Sequence, residues 1–500
     1  MPTQQLPEHP SLENLRKQAK TLLKRVRAGE PDALALVQEF HPHPDEALSD
    51  FALNDAQLVI ARSYGATSWT TLKQRVNAID YAWRPPRIDP QDDARPLVDR
   101  FVDLACLNYS DDLIQRQAQA REMFAADPSL AKANIYAATV VGDAAEVRRR
   151  LEVEPALATR RGGPWKWEPL LYACYSRFDN TFEGHSTLEC ARILLDHGAD
   201  PNAGALWDGD YLFTALTGAF GEGERGPVNQ PPHQYDMELA RLLLERGADP
   251  NDSQTLYNKM FRADNRHLEL LFEFGLGKPG NAVWSNRIGT KMEAPGKMMS
   301  DQLVWAVKHN FRERVELLVR HAVDLDSTDN RFHLPAHKLA LLAGHRELAD
   351  YLADHGATQK ALDPVSAFVA ACSSADAPGA KKLLAEHPTL IAQLGQHRIE
   401  LLFHAACENN LASMHLLAAL GSNLSELRRT TAMHEAAMAG HLEMVKLLLE
   451  LGADPLIRDT EYNAFPRGWA EYGYKYGGSN NEGCRQVAEY LAQFEPAAPE

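Results

Sequence analysis

The sequence lacks several things that would have announced a function. No apolar run approaches the ~18 residues that a membrane-spanning helix requires, so an integral membrane protein is not expected. The opening MPTQQLPEHP is polar and has no apolar core of the kind a signal peptide carries. Cysteine is sparse: Cys106, Cys174, Cys190, Cys372, Cys407 and Cys484 lie far apart, with no C-x-x-C pair. That spacing argues against a zinc ribbon or a disulfide framework and for buried, reduced thiols in a cytoplasmic protein. Positive charge is also short, with 52 Lys and Arg against 68 Asp and Glu and a net charge of −16. An acidic surface repels phosphate backbones, so broad nucleic-acid binding is not expected. The catalytic signatures G-x-S-x-G, H-E-x-x-H and G-x-x-x-x-G-K-[ST] are missing. No cofactor, no metal and no catalytic residue is therefore assigned, and the chain reads as non-enzymatic.

What is present is clearest at residues 430–459, TTAMHEAAMAGHLEMVKLLLELGADPLIRD. Thr431 and Ala432 open a helix whose small apolar face is Met433, Ala436 and Ala437, and Gly440 breaks it. Met444, Val445, Leu447 and Leu448 form the apolar face of a second helix, which Gly452 ends with the positive φ such a stop needs. This unit resembles the ankyrin repeat, whose pattern reads T-P-L-H-x-A-A-x-x-G-H, then an apolar helix, then G-A-D. Here those positions are Thr431, Ala432, Met433, His434, Ala436, Ala437, Gly440, His441, Gly452, Ala453 and Asp454. The resemblance implies structural roles for His434 and His441, which would bond backbone. A single such unit cannot bury its own apolar face, so neighbours must stack.

Degraded neighbours follow. LLDHGADPNA (194–203), LLERGADPND (243–252), LADHGAT (352–358) and LAALGSN (417–423) are further repeat ends, and His321 takes the glycine slot of LVRHAVD. Gly421 to Gly452 spans 31 residues and Gly356 to Gly421 spans 65, room for two units, against a period of about 33. Registration gives roughly ten units within residues 132–494, with inner helices starting near Ile135, Leu170, Leu216, Leu256, Leu303, His337, Phe368, Leu402, Met433 and Arg467. The fold class is thus all-α, a helical-repeat solenoid, with the last unit as its cap. Insertions are expected at 178–186, 221–236 and 277–300, and a short tail at 495–500.

Residues 1–82 do not follow the repeat and read as helices over 11–28, 31–40, 54–64 and 68–79. Residues 83–96 read as a Pro-rich linker, which would make the module removable, and 97–131 as a helical adaptor. The module and the adaptor are also similar to parts of bacterial ankyrin-repeat proteins of unassigned function, a similarity that implies no activity. The first helix carries Arg16, Lys17, Lys20, Lys24, Arg25 and Arg27. A DNA-reading helix pair is the alternative there; a solvated basic face is the plainer reading.

Ankyrin repeats as a class bind proteins through their fingers and through two variable residues on each inner helix. The resemblance places those residues at Tyr175 and Ser176, at Phe261 and Arg262, and at Lys308 and His309, in units 2, 4 and 5. The fingers add Trp165, Trp167, Trp207 and Tyr211. The expected function is recognition of a protein partner by the concave face and fingers of units 2–5. Arg262, Lys308 and His309 form the positive patch, suited to an acidic ligand. A small-molecule or enzymatic pocket roofed by the insertions is the alternative. His185, His233, Glu222 and Glu224 could meet there across two loops, though no spacing demands it. The registration itself is testable. Leu448→Ala should cost about 2–5 kcal/mol in urea melts; a loss under ~1 kcal/mol would mean that the helix faces are misassigned.

Overall fold

The computed structural model describes residues 4–7, 10–83, 93–178, 184–279, 283–289, 293–328, 333–476 and 480–494. Most of the linker, parts of the insertions at 178–186 and 277–300, and the 495–500 tail lie outside the described residues.

Among the described residues ten helix pairs run in series, from Ile135–Val141 with Ala144–Val153 to Pro466–Tyr476 with Asn481–Leu491. The inner helices between these ends are Pro169–Tyr175, Ala215–Phe220, Ser253–Lys259, Pro295–Lys308, Ala336–Leu342, Pro364–Ser373, His397–Cys407 and Ala432–Met438. Small residues set the spacing: Ala436 and Ala437 are fully buried between neighbouring helices, and Leu448 fills the space behind them. Gly440 and Gly452 take φ of 70° and 89°. A Cβ on Gly440 would also lie 2.6 Å from the backbone nitrogen of Cys484, so this turn admits only glycine. His434 accepts from Thr431 N at 3.2 Å and contacts Thr431 Oγ1 at 2.8 Å, while its Nε2 donates to Ala464 O at 3.2 Å. His441 Nε2 reaches back to Cys407 O at 2.9 Å. Each histidine therefore ties one unit to the next through backbone.

Two details differ from the sequence reading. In unit 5 the positive φ, 54°, falls on Ala322 rather than His321, because H-A-V-D aligns with H-G-A-D one residue further on. The inner helix of unit 5 starts at Pro295, not near Leu303, and buries Met298 and Met299. Residues 295–300 are therefore helix, not finger. Proline at the first turn loses no intrahelical donor and fixes a helical φ.

The all-α frame also carries a small sheet. β1 (Ala82–Trp83) pairs in parallel with β2 (Gly204–Trp207), which pairs antiparallel with β3 (Tyr211–Thr214). Asp208 and Gly209 turn the hairpin with φ of 51° and 78°, the positive angles that suit a tightly twisted two-strand turn.

The N-terminal module forms five helices, Leu12–Arg27, Pro31–Phe40, Pro44–Ser49, Leu53–Ser63 and Trp69–Tyr81, around its own core of Leu15, Leu22, Val37, Val59 and Leu72. Ser11 and Ser68 cap the first and last helices, accepting from Asn14 N and Thr71 N. This module does not stand apart. Trp83 packs on Trp165 and Trp167 with ring centroids 5.2 and 4.6 Å away, and Tyr81 meets Trp284 edge-on at 5.0 Å. Gln74 and Asn77 donate to the carbonyls of Ser285 and Arg287, and Arg161 donates to Asp80 O. The insertion helix Val283–Ile288 is thus a docking surface for the module's last helix, and the independence expected of residues 1–82 is not what these contacts show. Trp83→Ala should cost about 3–5 kcal/mol in urea melts of the whole chain. A change near zero would mean that Trp83 is not held in the solenoid core.

Candidate functional site

The site begins where unit 3 leaves its repeat. Thr214 caps the inner helix Ala215–Phe220, accepting from Leu216 N and Thr217 N, and its hydroxyl donates to the buried carboxylate of Asp252. At Gly221 the chain turns out of the helix with φ 61° and ψ −143°, where a Cβ would meet Pro231 O at 2.4 Å. The insertion then folds back on itself: Glu222 N donates to Gln230 O at 2.8 Å and His233 N to Ala219 O at 3.1 Å. Arg177, buried from unit 2, donates to the carbonyls of Pro231, Cys174, Ser176 and Gly218 at 2.7–3.0 Å. Burial lowers its pKa, and the four carbonyl contacts compensate the guanidinium in place of a counter-ion.

The adaptor completes the wall. After helix Leu97–Ala105 its loop lies on the concave face, with Leu107 N donating to Tyr175 O and Arg177 N to Ala105 O. Asp112 is buried and accepts from the backbone nitrogens of Asn108 and Tyr109 at 2.8 Å and from Gln230 at 3.1 Å. Burial raises its pKa against those bonds. Tyr109 OH accepts from Asn258 at 3.2 Å, and Arg225 donates to Ser110 O at 2.8 Å. Lys259, buried, pairs with Glu222 at 2.5 Å, and Arg262 stands 3.9 Å from the same carboxylate.

Two solvent-open chambers result. The first, about 600 Å3, is lined by Tyr109, Trp207, Asp210, Tyr211, Phe213, Glu224, Arg225, Gln230, Gln254, Tyr257, Asn258 and Glu293. The second, about 510 Å3, is lined by Phe261, Arg262, Phe311, Met438, Tyr472 and Tyr476, with Gly223, Glu224 and Arg225 as the wall common to both. The cap of the solenoid thus approaches the insertion of unit 3, and Asn229 donates to Tyr476 O at 3.3 Å.

The structure separates the residues singled out from sequence. Trp207 and Tyr211 line the first chamber and Arg262 the second. Tyr175 (1% exposed), Ser176 (3%), Trp165 (3%) and Trp167 (1%) are buried and offer no surface. The adaptor loop covers the first two, and Trp83, at the end of β1, covers the tryptophans. Tyr175 instead donates to Thr214 O at 2.9 Å and Ser176 to Val140 O at 2.8 Å. The expected patch of Arg262, Lys308 and His309 is also corrected. Arg262 faces Glu222. Lys308 is held below its ordinary pKa by burial and opposed by Glu408 of unit 8. His309 stacks on Trp305 at 4.2 Å. His233 is buried and held by Thr187 Oγ1 at 2.9 Å and Tyr235 N at 3.1 Å, its pKa lowered by burial and then by Arg177. Glu222 bonds Lys259 and Glu224 accepts from Tyr257, so no four-residue cluster forms with His185. Among the described residues no group of three His, Cys, Asp or Glu is placed to hold a metal ion.

The family comparisons agree with this architecture. A family model described as ankyrin repeats in three copies matches residues 367–459, and a single ankyrin repeat matches 166–205. These are ankyrin repeats. With the helix pairs on either side they make an all-α ankyrin solenoid. No curated protein matches the chain. Among the described residues no helix is long and apolar enough to cross a membrane. Lys259→Met should leave Glu222 buried with its 3.9 Å contact to Arg262 in place of its short ion pair, and cost about 3–5 kcal/mol in urea melts. Adding Glu222→Gln should recover part of that loss; no recovery would show that the two groups act separately.

Proposed function

We propose that the protein is a non-catalytic recognition scaffold that binds a protein partner along the concave face and fingers of units 2–5. The observation that carries this reading is the pair of chambers sharing the wall Gly223–Glu224–Arg225. Both are open to solvent rather than closed pockets, and ankyrin repeats in general mediate contacts between proteins. The chemistry of the lining agrees: aromatic rings and amides with scattered charge are the groups that anchor interfaces. The neighbouring histidines already serve the scaffold. His345 bonds Lys308 O at 3.2 Å and His404 bonds Ala343 O at 2.8 Å. Five of the six free thiols are buried, which suits a reducing, cytoplasmic setting. The basic residues Arg16, Lys17, Lys20 and Lys24 are exposed on the first helix, away from this groove, and Lys17 pairs with Glu13 at 2.7 Å.

Chambers of this volume also fall in the range of small-molecule sites, about 300–1,000 Å3, so a ligand pocket is the second reading. A photo-reactive side chain at Gln254, inside the groove, separates the two. Exposed to extract from the source cells, it should yield polypeptide adducts that the same group at Glu443, on an outer helix, does not. Loss of those adducts on Trp207→Ala with Tyr211→Ala would tie them to the groove. Adducts of small mass only would favour the pocket, and no adduct at Gln254 would overturn recognition at this face.

A further inference from the structure

We infer that the edge of β2, with Trp165 and Trp167 beside it, is a docking site for an extended segment of a partner polypeptide that carries a tryptophan, and that the chain's own Ala82–Trp83 occupies this site as an internal stand-in. The site lies on the fingers flanking unit 2 and does not depend on the groove reading above. The first argument is that the solenoid builds it alone. Trp165 N donates to Tyr172 OH at 3.0 Å, that hydroxyl donates to Gly162 O at 2.8 Å, and Gly162 N donates to Trp167 O at 2.9 Å. A Cβ on Gly162 would collide with the Tyr136 ring. The finger is thereby held in one shape, with Trp165 and Trp167 4.6 Å apart and Tyr175 4.9 Å behind Trp167. All of these contacts lie within residues 136–175, so the seat exists without Trp83, and a seat already in shape costs little ordering on binding. The second argument is the backbone. β1 has only two residues, Ala82 exposed and Trp83 buried, and Asp208 N donates to Trp83 O at 2.8 Å. Main-chain pairing at a sheet edge is blind to sequence, so selection rests on the one side chain that is seated. The third argument is the seam. The N-terminal module has its own core, from Leu15 to Val76, whereas Trp83 belongs to the core of the solenoid. Between the two lies a small cluster, Leu206, Leu212, Trp284 and Ile288 against Ala78 and Tyr81. Trp83 Nε1, Trp165 Nε1 and Trp167 Nε1 are buried with no acceptor among the described residues, and one oxygen of Glu168 is buried with no donor. Buried polar groups left unpaired subtract from the contact that buries them. A two-residue strand on such a seam opens before the fold around it.

Calorimetric titration of the full chain tests this with acetyl-Ile-Asp-Tyr-Ala-Trp-Arg-amide, a copy of residues 79–84. Trp83→Ala empties the seat and leaves β2 unchanged. The variant should bind this peptide about tenfold or more tightly than the wild type, where the internal strand competes. The same peptide with alanine for tryptophan should not bind, and N-acetyl-tryptophan amide should bind about tenfold more weakly. The bound peptide should also restore hydrogen-exchange protection to the Asp208 amide of the variant. Equal binding by variant and wild type, or no binding by a variant that melts cooperatively, overturns the inference. N-acetyl-tryptophan amide binding as tightly as the peptide overturns strand pairing and leaves an indole cavity. A wild-type dimer that Trp83→Ala disperses makes the occupant a second copy of this chain and overturns the partner assignment. Where the variant does not fold, exchange in the wild type decides. The Asp208 amide should exchange through an opening that leaves Val445 and Ala453, bonded to His441 O and Leu448 O, protected. Exchange of all three together shows that the strand does not open separately and overturns the inference.

Discussion

A two-helix unit cannot bury its own apolar face, and the architecture follows from that constraint. Each unit is stable only against its neighbours, so the positions that cannot drift are those where units touch. Ala436 and Ala437 let inner helices approach, Gly440 lets the backbone of Cys484 pass, and His434 and His441 reach backbone in the adjoining units. The surface between these points is free to change. That freedom is how ten helix pairs persist in a chain whose recognisable repeats cover only residues 166–205 and 367–459.

The insertions use the same freedom at a cost in buried charge. Folding residues 221–236 over the inner face takes Arg177, Glu222 and Lys259 out of water. An isolated buried charge is expensive, so each must find compensation within the chain. Arg177 finds four carbonyls and Lys259 finds Glu222. This network fixes the loop that divides the groove. It also brings Glu222 within 3.9 Å of Arg262, one of the cations that sequence placed on the concave face.

How much was legible follows from range. The inner-helix starts at Ile135, Leu170, Leu216 and Met433 were readable because local periodicity and the glycine stops fix them within one unit. The start of unit 5 was not, since Pro295 and the two buried methionines extend a helix beyond the repeat pattern. The hairpin had a local signal, Asp208-Gly209 between alternating apolar residues, which the dominant helical register masked. The candidate site was legible only in part. Trp207 and Tyr211 sit on a finger, and their neighbourhood follows from the repeat. Tyr175, Ser176, Trp165 and Trp167 were misplaced because what covers them comes from outside the repeats: the adaptor loop and Trp83 of β1. Tyr109, Tyr472 and Tyr476 were missed for the same reason, reaching the groove from opposite ends of the solenoid.

Those long-range contacts also determine what the groove can select. Were the concave face formed by units 2–5 alone, its charge would be set by the variable positions, and Arg262 and Lys308 would make it cationic. The adaptor instead turns Arg225 toward Ser110 and Asp112, and the insertion brings Glu222 beneath Arg262. Among the described residues, Asp210, Glu224, Arg225, Glu293 and aromatic surface line the first chamber. Elements packed against the repeats, more than the repeat positions themselves, therefore give this solenoid its electrostatic character.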